Sequence, residues 1–377
     1  MATSKWKRIV IKVGSALIAP NRDGCSRQYL LSIANFIVRC RISGIQTVLV
    51  SSGSVAAGSH LFKDADTSSM TVKKAMAAAG QTEMMATWDK LFDFSTAQVL
   101  LTHADLRNRY RYCSVRDTLE ALLEGGILPI VNENDTVTTD KLKVGDNDNL
   151  AAMVATAANA DALIICSDIN GLYTANPHKE KDAKLIPNVY EIDQSIYNMA
   201  GGATSSVGTG GMKTKIEAAE KAVSHGIDTY IVDGFNENSF NQLLAGENPG
   251  TRFHPHSSPM QDRAHWMKHT TKEQGELIVE DSFAIDSESE EELLVPQDLV
   301  DVTGEFSVGD VVLLKKENGE ELAKVKTNYS SCLLNFVATQ DNEHISQQLD
   351  DTEEPLISEK YISVMDKNTE NKNTKNK

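Results

Sequence analysis

The stretch IVNENDTVTTDKLKVGDNDNL, residues 130–150, carries two clusters of short carboxylates and carboxamides on either side of a brief strand-like interruption. Asn132, Glu133, Asn134 and Asp135 follow the apolar run LPIV, which places the first cluster at the carboxyl edge of a buried strand. The second cluster, Gly145 to Asn149, opens the helical pattern LAAMVATAANA. Asp and Asn at either place alone are accounted for as caps of free backbone N–H groups. Two such clusters so close together, both at element ends, read instead as the lining of a site for a small polar ligand with an ammonium group to satisfy.

Two lysines extend this site toward anions. Lys12 interrupts the β-branched run RIVIKV, residues 8–13, and a lysine near the carboxyl end of a buried strand finds its natural partner in an anionic ligand. The segment SSGSVAAG, residues 51–58, is a turn of small residues entering a helix, where Gly53 lets a ligand approach the backbone and the helix start favours negative charge. Farther on, SSVGTGGMKTK (205–215) offers Gly208, Gly210 and Gly211 to curl backbone N–H groups around a phosphate, with Lys215 to neutralise it. It is not a Walker A loop, because Met212 stands between the glycines and the first lysine, and the G-x-G-x-x-G register does not fit either. His254 and His256 have metal-pair spacing, but no Cys or carboxylate cluster accompanies them, and no metal site is assigned.

The elements that must hold these residues alternate. Strands are expected at 8–13, 47–52, 97–101, 127–131, 162–166 and 229–232. Helices are expected at about 27–41, 70–92, 114–124 and 213–225. At least six strands alternating with helices argue for a doubly wound, mostly parallel open sheet with ligands at its carboxyl edge. Strand 162–166 ends in Ser167 and Asp168, ahead of the loop DINGLYTANP.

The chain has 377 residues, 41% of them hydrophobic, and a formal net charge of −16. That charge is uneven: residues 1–270 sum to −1, 271–362 to −17 and the last 15 to +2. The break near 270 marks a boundary. The organisation expected is a ligand-binding α/β domain over 1–252, a Pro/Ser/His-rich connector over 253–275, a small β domain over 276–364 built from segments such as ELIVE, ELAKVKT and CLLNFVA, and a polar disordered tail over 365–377. No run is long and apolar enough to span a bilayer, and no signal-peptide pattern is present, so a cytoplasmic protein is expected. Five widely spaced cysteines indicate reduced thiols rather than a disulfide framework.

With these pieces together, the chain resembles the glutamate 5-kinases of the amino acid kinase family. The likeness runs through VIKVGSALI (10–18), VSSGSVAAG (50–58), VNENDTV (131–137), VGDNDNLAA (144–152), SDINGLYTANP (167–177) and GTGGMKTK (208–215), and the acidic C-terminal part resembles a PUA domain through LLVPQDLVDVTGEFSVGDVV (293–312). The resemblance implies the amino acid kinase fold, and phosphorylation of the side-chain carboxylate of L-glutamate by ATP with Mg²⁺ as the first step of proline synthesis. It also implies proline as an inhibitor and a homo-oligomer, dimer or tetramer. Lys12, Lys215 and Asp148 would be catalytic, with Asp148 holding the two lysines in place. Ser52, Gly53, Asn132, Asp135 and Asn147 would bind glutamate. Lys12, Gly14, Ser167, Asp168 and the run Thr209, Gly210, Gly211, Met212, Lys213, Thr214 and Lys215 would line the ATP site. Ser15 stands where the family commonly has Thr, and Lys213 where it often has Ser. Neither removes a charge the chemistry needs.

Physics agrees with the resemblance on one point. A glutamate side chain, with an ordinary pKa of about 4.3, is already ionised near neutral pH and needs no general base. The reaction needs positioning, cations and backbone donors around an anion brought against a polyanion. Kinases for aspartate, acetylglutamate or a nucleotide remain open alternatives on the residues alone, as does a ligand sensor without catalysis. An RNA-binding protein is the alternative suggested by the PUA resemblance, but six lysines and no arginine against 23 carboxylates over 271–362 argue against nucleic acid.

Overall fold

In the computed structural model the described residues are 6–63, 65–138, 147–177, 179–200, 211–256, 262–285, 294, 298–339 and 356–364. The interruption at 141–144, the glycines at 208 and 210, Thr209 and the tail expected to be disordered lie outside them. The chain divides into two compact units, Met1–Met260 and Gln261–Lys377.

The first unit runs β1 Arg8–Val13, α1 Ser15–Ile18, α2 Arg27–Ile42, β2 Gln46–Ser51, α3 Ser54–Gly58, α4 Met70–Asp89, β3 Thr96–Leu101, α5 His103–Arg107, α6 Arg109–Glu124, β4 Leu128–Glu133, α7 Asn147–Ala157, β5 Ala162–Ser167, β6 Asn188–Val189, α8 Gln194–Ala200, α9 Met212–Ser224, β7 Asp228–Asp233, α10 Glu237–Ala245 and β8 Thr251–Phe253. Its eight strands lie in the order β3-β4-β2-β1-β5-β7-β8-β6, parallel except where β8 meets β7. The expected doubly wound sheet is therefore present. β1 is the pivot: β2 flanks it on one side and β5 on the other, so Lys12 pairs across to both Val50 and Ile165. Ligands in such sheets sit where the winding reverses, outside the carboxyl ends.

The strands form because their branched apolar runs are buried on both faces: every residue of β4 and β5 is buried, as a parallel sheet covered by helices requires. Ile9, Ile11, Leu49, Ile130 and Ile164 pack beneath Leu30, Ile33, Phe36 and Ile37 of α2. All eleven residues of α7 are buried, so its Ala-rich sequence serves close packing on both sides. The helix expected from Ser114 begins instead at Arg109, because the Asn108 side chain accepts from the Arg111 N–H and caps it one turn earlier.

The second unit contains α11 Asp262–Thr270, β9 Gly275–Val279, β10 Leu299–Gly304, β11 Val311–Lys316, β12 Glu321–Thr327, α12 Ser331–Thr339 and β13 Ile357–Val364. The strands make one sheet in the order β10-β9-β11-β12-β13, antiparallel except for β9 beside β11. The stretch read as a connector is thus partly structured, with β8 ending the first unit and α11 opening the second. CLLNFVA, expected as a strand segment, is helical: Leu334 and Ala338, four residues apart, face the small core, and Val337 is buried as well.

Candidate functional site

Burial makes Lys12 the organising charge of the carboxyl edge. It is 6% exposed near the end of β1, and its Nζ lies 2.6 Å from Oδ1 of Asp148, which is 1% exposed in the first turn of α7. Lys215, on the first turn of α9, places its Nζ 3.2 Å from Oδ2 of the same carboxylate. The Thr214 hydroxyl is 2.8 Å from that oxygen as well. Burial alone would push the Asp148 carboxyl up; the Lys12 and Lys215 ammonium groups and the hydrogen bonds from Lys12 and Thr214 outweigh it and hold the group well below the usual carboxylate range. Two ammonium groups share one carboxylate, so the trio carries net positive charge in a buried place. Such a charge calls for an anion.

Beside this trio lies a group of hydrogen-bond acceptors. Asp135, 5% exposed, accepts from the Ser54 hydroxyl at Oδ2 (3.0 Å), while its Oδ1 is buried with no partner among the described residues. Burial pushes its pKa up, and the Ser54 hydrogen bond only partly opposes this. Asn147 donates from Nδ2 to Asn132 Oδ1 (2.7 Å) and to the Ser51 carbonyl (3.3 Å), leaving its Oδ1 buried and without a partner among the described residues. The Ser52 hydroxyl is likewise buried without one, and its backbone N–H is spent on the Val13 carbonyl. A cation with several N–H donors would satisfy these groups.

The turn that carries Ser52 and Ser54 is fixed by two features of the sequence. Gly53 sits at φ 99°, and a Cβ there would fall 2.8 Å from that of Ile18, so only glycine fits. Behind it, α3 and α4 meet backbone to backbone: a Cβ on Gly80 would lie 1.9 Å from the Ser54 carbonyl oxygen, and one on Gly58 would lie 2.1 Å from that of Met76.

On the other side of the trio, Ser167 ends β5 and donates to Asp168 Oδ1 (3.1 Å). Asp168 opens a cleft of about 360 Å³ whose lining includes Asn170, Tyr173, Asp233 and Asn236, at the carboxyl ends of β5 and β7. Its size suits a nucleoside. Among the described residues no group of three or more His, Cys, Asp or Glu side chains could hold a metal ion. His254 instead stacks on Tyr190 and lies 3.0 Å from the Asn188 amide oxygen.

Most residues singled out from the sequence therefore converge on one edge. The Gly14 N–H meets the Cys166 carbonyl at 3.3 Å, continuing the ladder between β1 and β5. Lys213 is exposed, whereas Met212 and Lys215 turn inward at three-residue spacing. Thr209 and Gly210 lie outside the described residues. The sequence reading assigned no role to Ser54, Gln81, Tyr173, Asp233 or Asn236. Only Ser54 and Tyr173 lay within motifs singled out for ligand binding, and neither carries a charge to draw notice.

Residues 7–233 match the amino acid kinase family and residues 275–335 the PUA domain. The chain belongs to the amino acid kinase family, among its glutamate 5-kinases. It is 60% identical to glutamate 5-kinase 1 of Pseudoalteromonas translucida over 362 residues, 96% of this chain and 98% of that one. It is 51% identical to the glutamate 5-kinase of Idiomarina loihiensis, over 92% of this chain and 94% of that one, and 44% identical to that of Salinibacter ruber, over 93% and 95%. For an amino acid kinase, the lysine-carboxylate trio has the charge that phosphoryl transfer demands.

Proposed function

We propose that the protein transfers the γ-phosphoryl group of ATP to the side-chain carboxylate of L-glutamate, giving L-glutamyl 5-phosphate and ADP at the entry to proline synthesis. The observation that carries this reading is the start of α7. Asn147 turns a buried acceptor toward the ammonium subsite, and its neighbour Asp148 ties together the two lysines of the phosphoryl subsite.

In the reaction a side-chain carboxylate oxygen of glutamate attacks the γ-phosphorus, the bond from phosphorus to the β,γ-bridging oxygen breaks, and ADP leaves with its electron pair. No proton moves, which fits a site whose described centre holds lysines rather than a histidine. Asp135, Asn147 and Ser52 bind the ammonium and α-carboxylate end, so that the far carboxylate is presented to the lysines. Lys12 and Lys215 neutralise charge on the transferring group, and Asp148 keeps them apart and oriented. Mg²⁺ accompanying ATP would supply neutralisation of the phosphate charge, and Ser167 and Asp168 would stand at that edge. The cleft between the ends of β5 and β7 receives the nucleoside. Proline presents the same charged amine and α-carboxylate as glutamate, and it competes for the acceptors of Asp135 and Asn147.

The test is an assay with ATP, Mg²⁺ and L-glutamate in which hydroxylamine traps the acyl phosphate. Hydroxamate formation matching ADP release is expected. ADP release without hydroxamate, or turnover with aspartate or acetylglutamate but not glutamate, would overturn the reading.

A further inference from the structure

Four carboxamides from four elements form a chain that runs inward from the surface to the ammonium subsite. Gln81 of α4 donates from Nε2 to Gln98 Oε1 on β3 (3.0 Å), Asn132 of β4 donates from Nδ2 to Gln81 Oε1 (2.8 Å), and Asn147 of α7 donates from Nδ2 to Asn132 Oδ1 (2.7 Å). Two main-chain groups fix its polarity. The Glu133 N–H can only donate, so the Asn132 atom 2.9 Å from it is Oδ1. The Ser51 carbonyl can only accept, so the Asn147 atom 3.3 Å from it is Nδ2. Asn132 must then turn its NH₂ to Gln81, which must answer with Oε1 and pass its own NH₂ to Gln98. Flipping any inner member sets donor against donor or acceptor against acceptor.

The consequence falls on Asn147. Both its N–H groups are engaged within the protein, and the one atom it has left is an acceptor, Oδ1, buried without a partner among the described residues, as is Oδ1 of Asp135. We propose that Gln81, backed by Gln98, is a positioning residue for recognition of the substrate ammonium: it holds Asn132, and through it Asn147, in the orientation that shows the ligand an acceptor. This rests on the glutamate reading of the site and adds the origin of its demand for an amine. Gln81 is placed for the task by Gly80, whose backbone contact with Ser54 fixes that turn of α4 against the loop bearing Ser52.

The experiment uses the full chain with Gln81→Met, of similar volume and without an amide acceptor, and Gln81→Glu, which keeps an acceptor for Asn132. Glutarate, which has the same carboxylates and no amine, is titrated as a competitive inhibitor. Leaving the Asn132 donor unsatisfied is expected to raise the KM for glutamate about tenfold in Gln81→Met. The Ki of glutarate and the KM for ATP should stay within about twofold, and Gln81→Glu should recover most of the loss. Should Gln81→Met fail to fold, Gln98→Ala must show the same split at about two- to threefold. Equal weakening of glutamate and glutarate, or no change in either, overturns the proposal. A wild-type enzyme that does not phosphorylate glutamate removes the underlying reading instead, and the positioning role falls with it.

Discussion

Asp148 does its work by being outnumbered. Buried between two ammonium groups, it keeps a low pKa despite desolvation, so the stabilisation it provides is fully present above the unfolded value near 3.9 and is lost only as pH falls through the lower folded value. Asp148→Asn would leave two buried like charges together, and removing one partner of a buried pair typically costs about 3–5 kcal/mol. Thermal and denaturant unfolding should show that loss near neutral pH and a smaller one in acid, where the wild-type carboxylate is itself protonated. Lys12→Ala and Lys215→Ala should each lower kcat about 100- to 1,000-fold with the fold retained, the usual effect of removing one donor to developing charge; near wild-type turnover by either would refute its role. Asp135 titrates in the opposite sense. Burial raises its pKa, and an ammonium bound beside it should lower it, so glutamate binding should weaken as pH drops through that raised value. The KM for glutamate measured against pH should carry this acid limb. In Asp135→Asn the KM should be high throughout, and the limb should shrink to what the substrate's own carboxylates contribute.

At the scale of elements, the site depends on two helices packed without side chains between them. Gly58 and Gly80 let α3 and α4 approach until each would-be Cβ overlaps a carbonyl oxygen of the other. Gly80→Ala must push α4 from the turn that carries Ser52 and Ser54, and overpacking of this kind costs about 1–3 kcal/mol. Because Ser54 holds Asp135 and Gln81 follows Gly80, the displacement should raise the KM for glutamate more than that for ATP. An alanine variant as stable as wild type, with both constants unchanged, would show that the contact is dispensable. The early start of α6 at Asn108 and the helical form of Ser331–Thr339 belong to this scale too: an Asn cap decides the first, and three-to-four spacing of Leu334, Val337 and Ala338 decides the second.

For the whole molecule, every residue placed at the site lies in the first unit, and the His256 N–H still bonds the Val223 carbonyl, so that unit holds its own chain as far as His256. A fragment of residues 1–260 should therefore phosphorylate glutamate; a cut at 263 would add only a stub of α11, which belongs to the second unit. A folded but inactive fragment would show that the PUA unit completes the site. The charge of 271–362, −17, predicts no tRNA retention in a filter-binding titration at low salt, since affinity for nucleic acid rests on cations that meet phosphates. Tight binding that weakens steeply with salt would contradict it.

The parallel sheet was legible in the sequence because burial on both faces leaves continuous runs such as RIVIKV and ALIIC, and the site was legible because charged and amide residues stand where those runs end. Family likeness implied that Asp148 holds both lysines, but the distances of 2.6 and 3.2 Å and the near-complete burial of that carboxylate depend on packing residues far apart in the chain. The same holds for Gly14, whose N–H is claimed by a neighbouring strand, and for Gln81 and Gln98, ordinary surface-type residues in the sequence. Their direction of hydrogen bonding is set by the main chain of Glu133 and Ser51, and only packing four separate elements together brings those groups within reach.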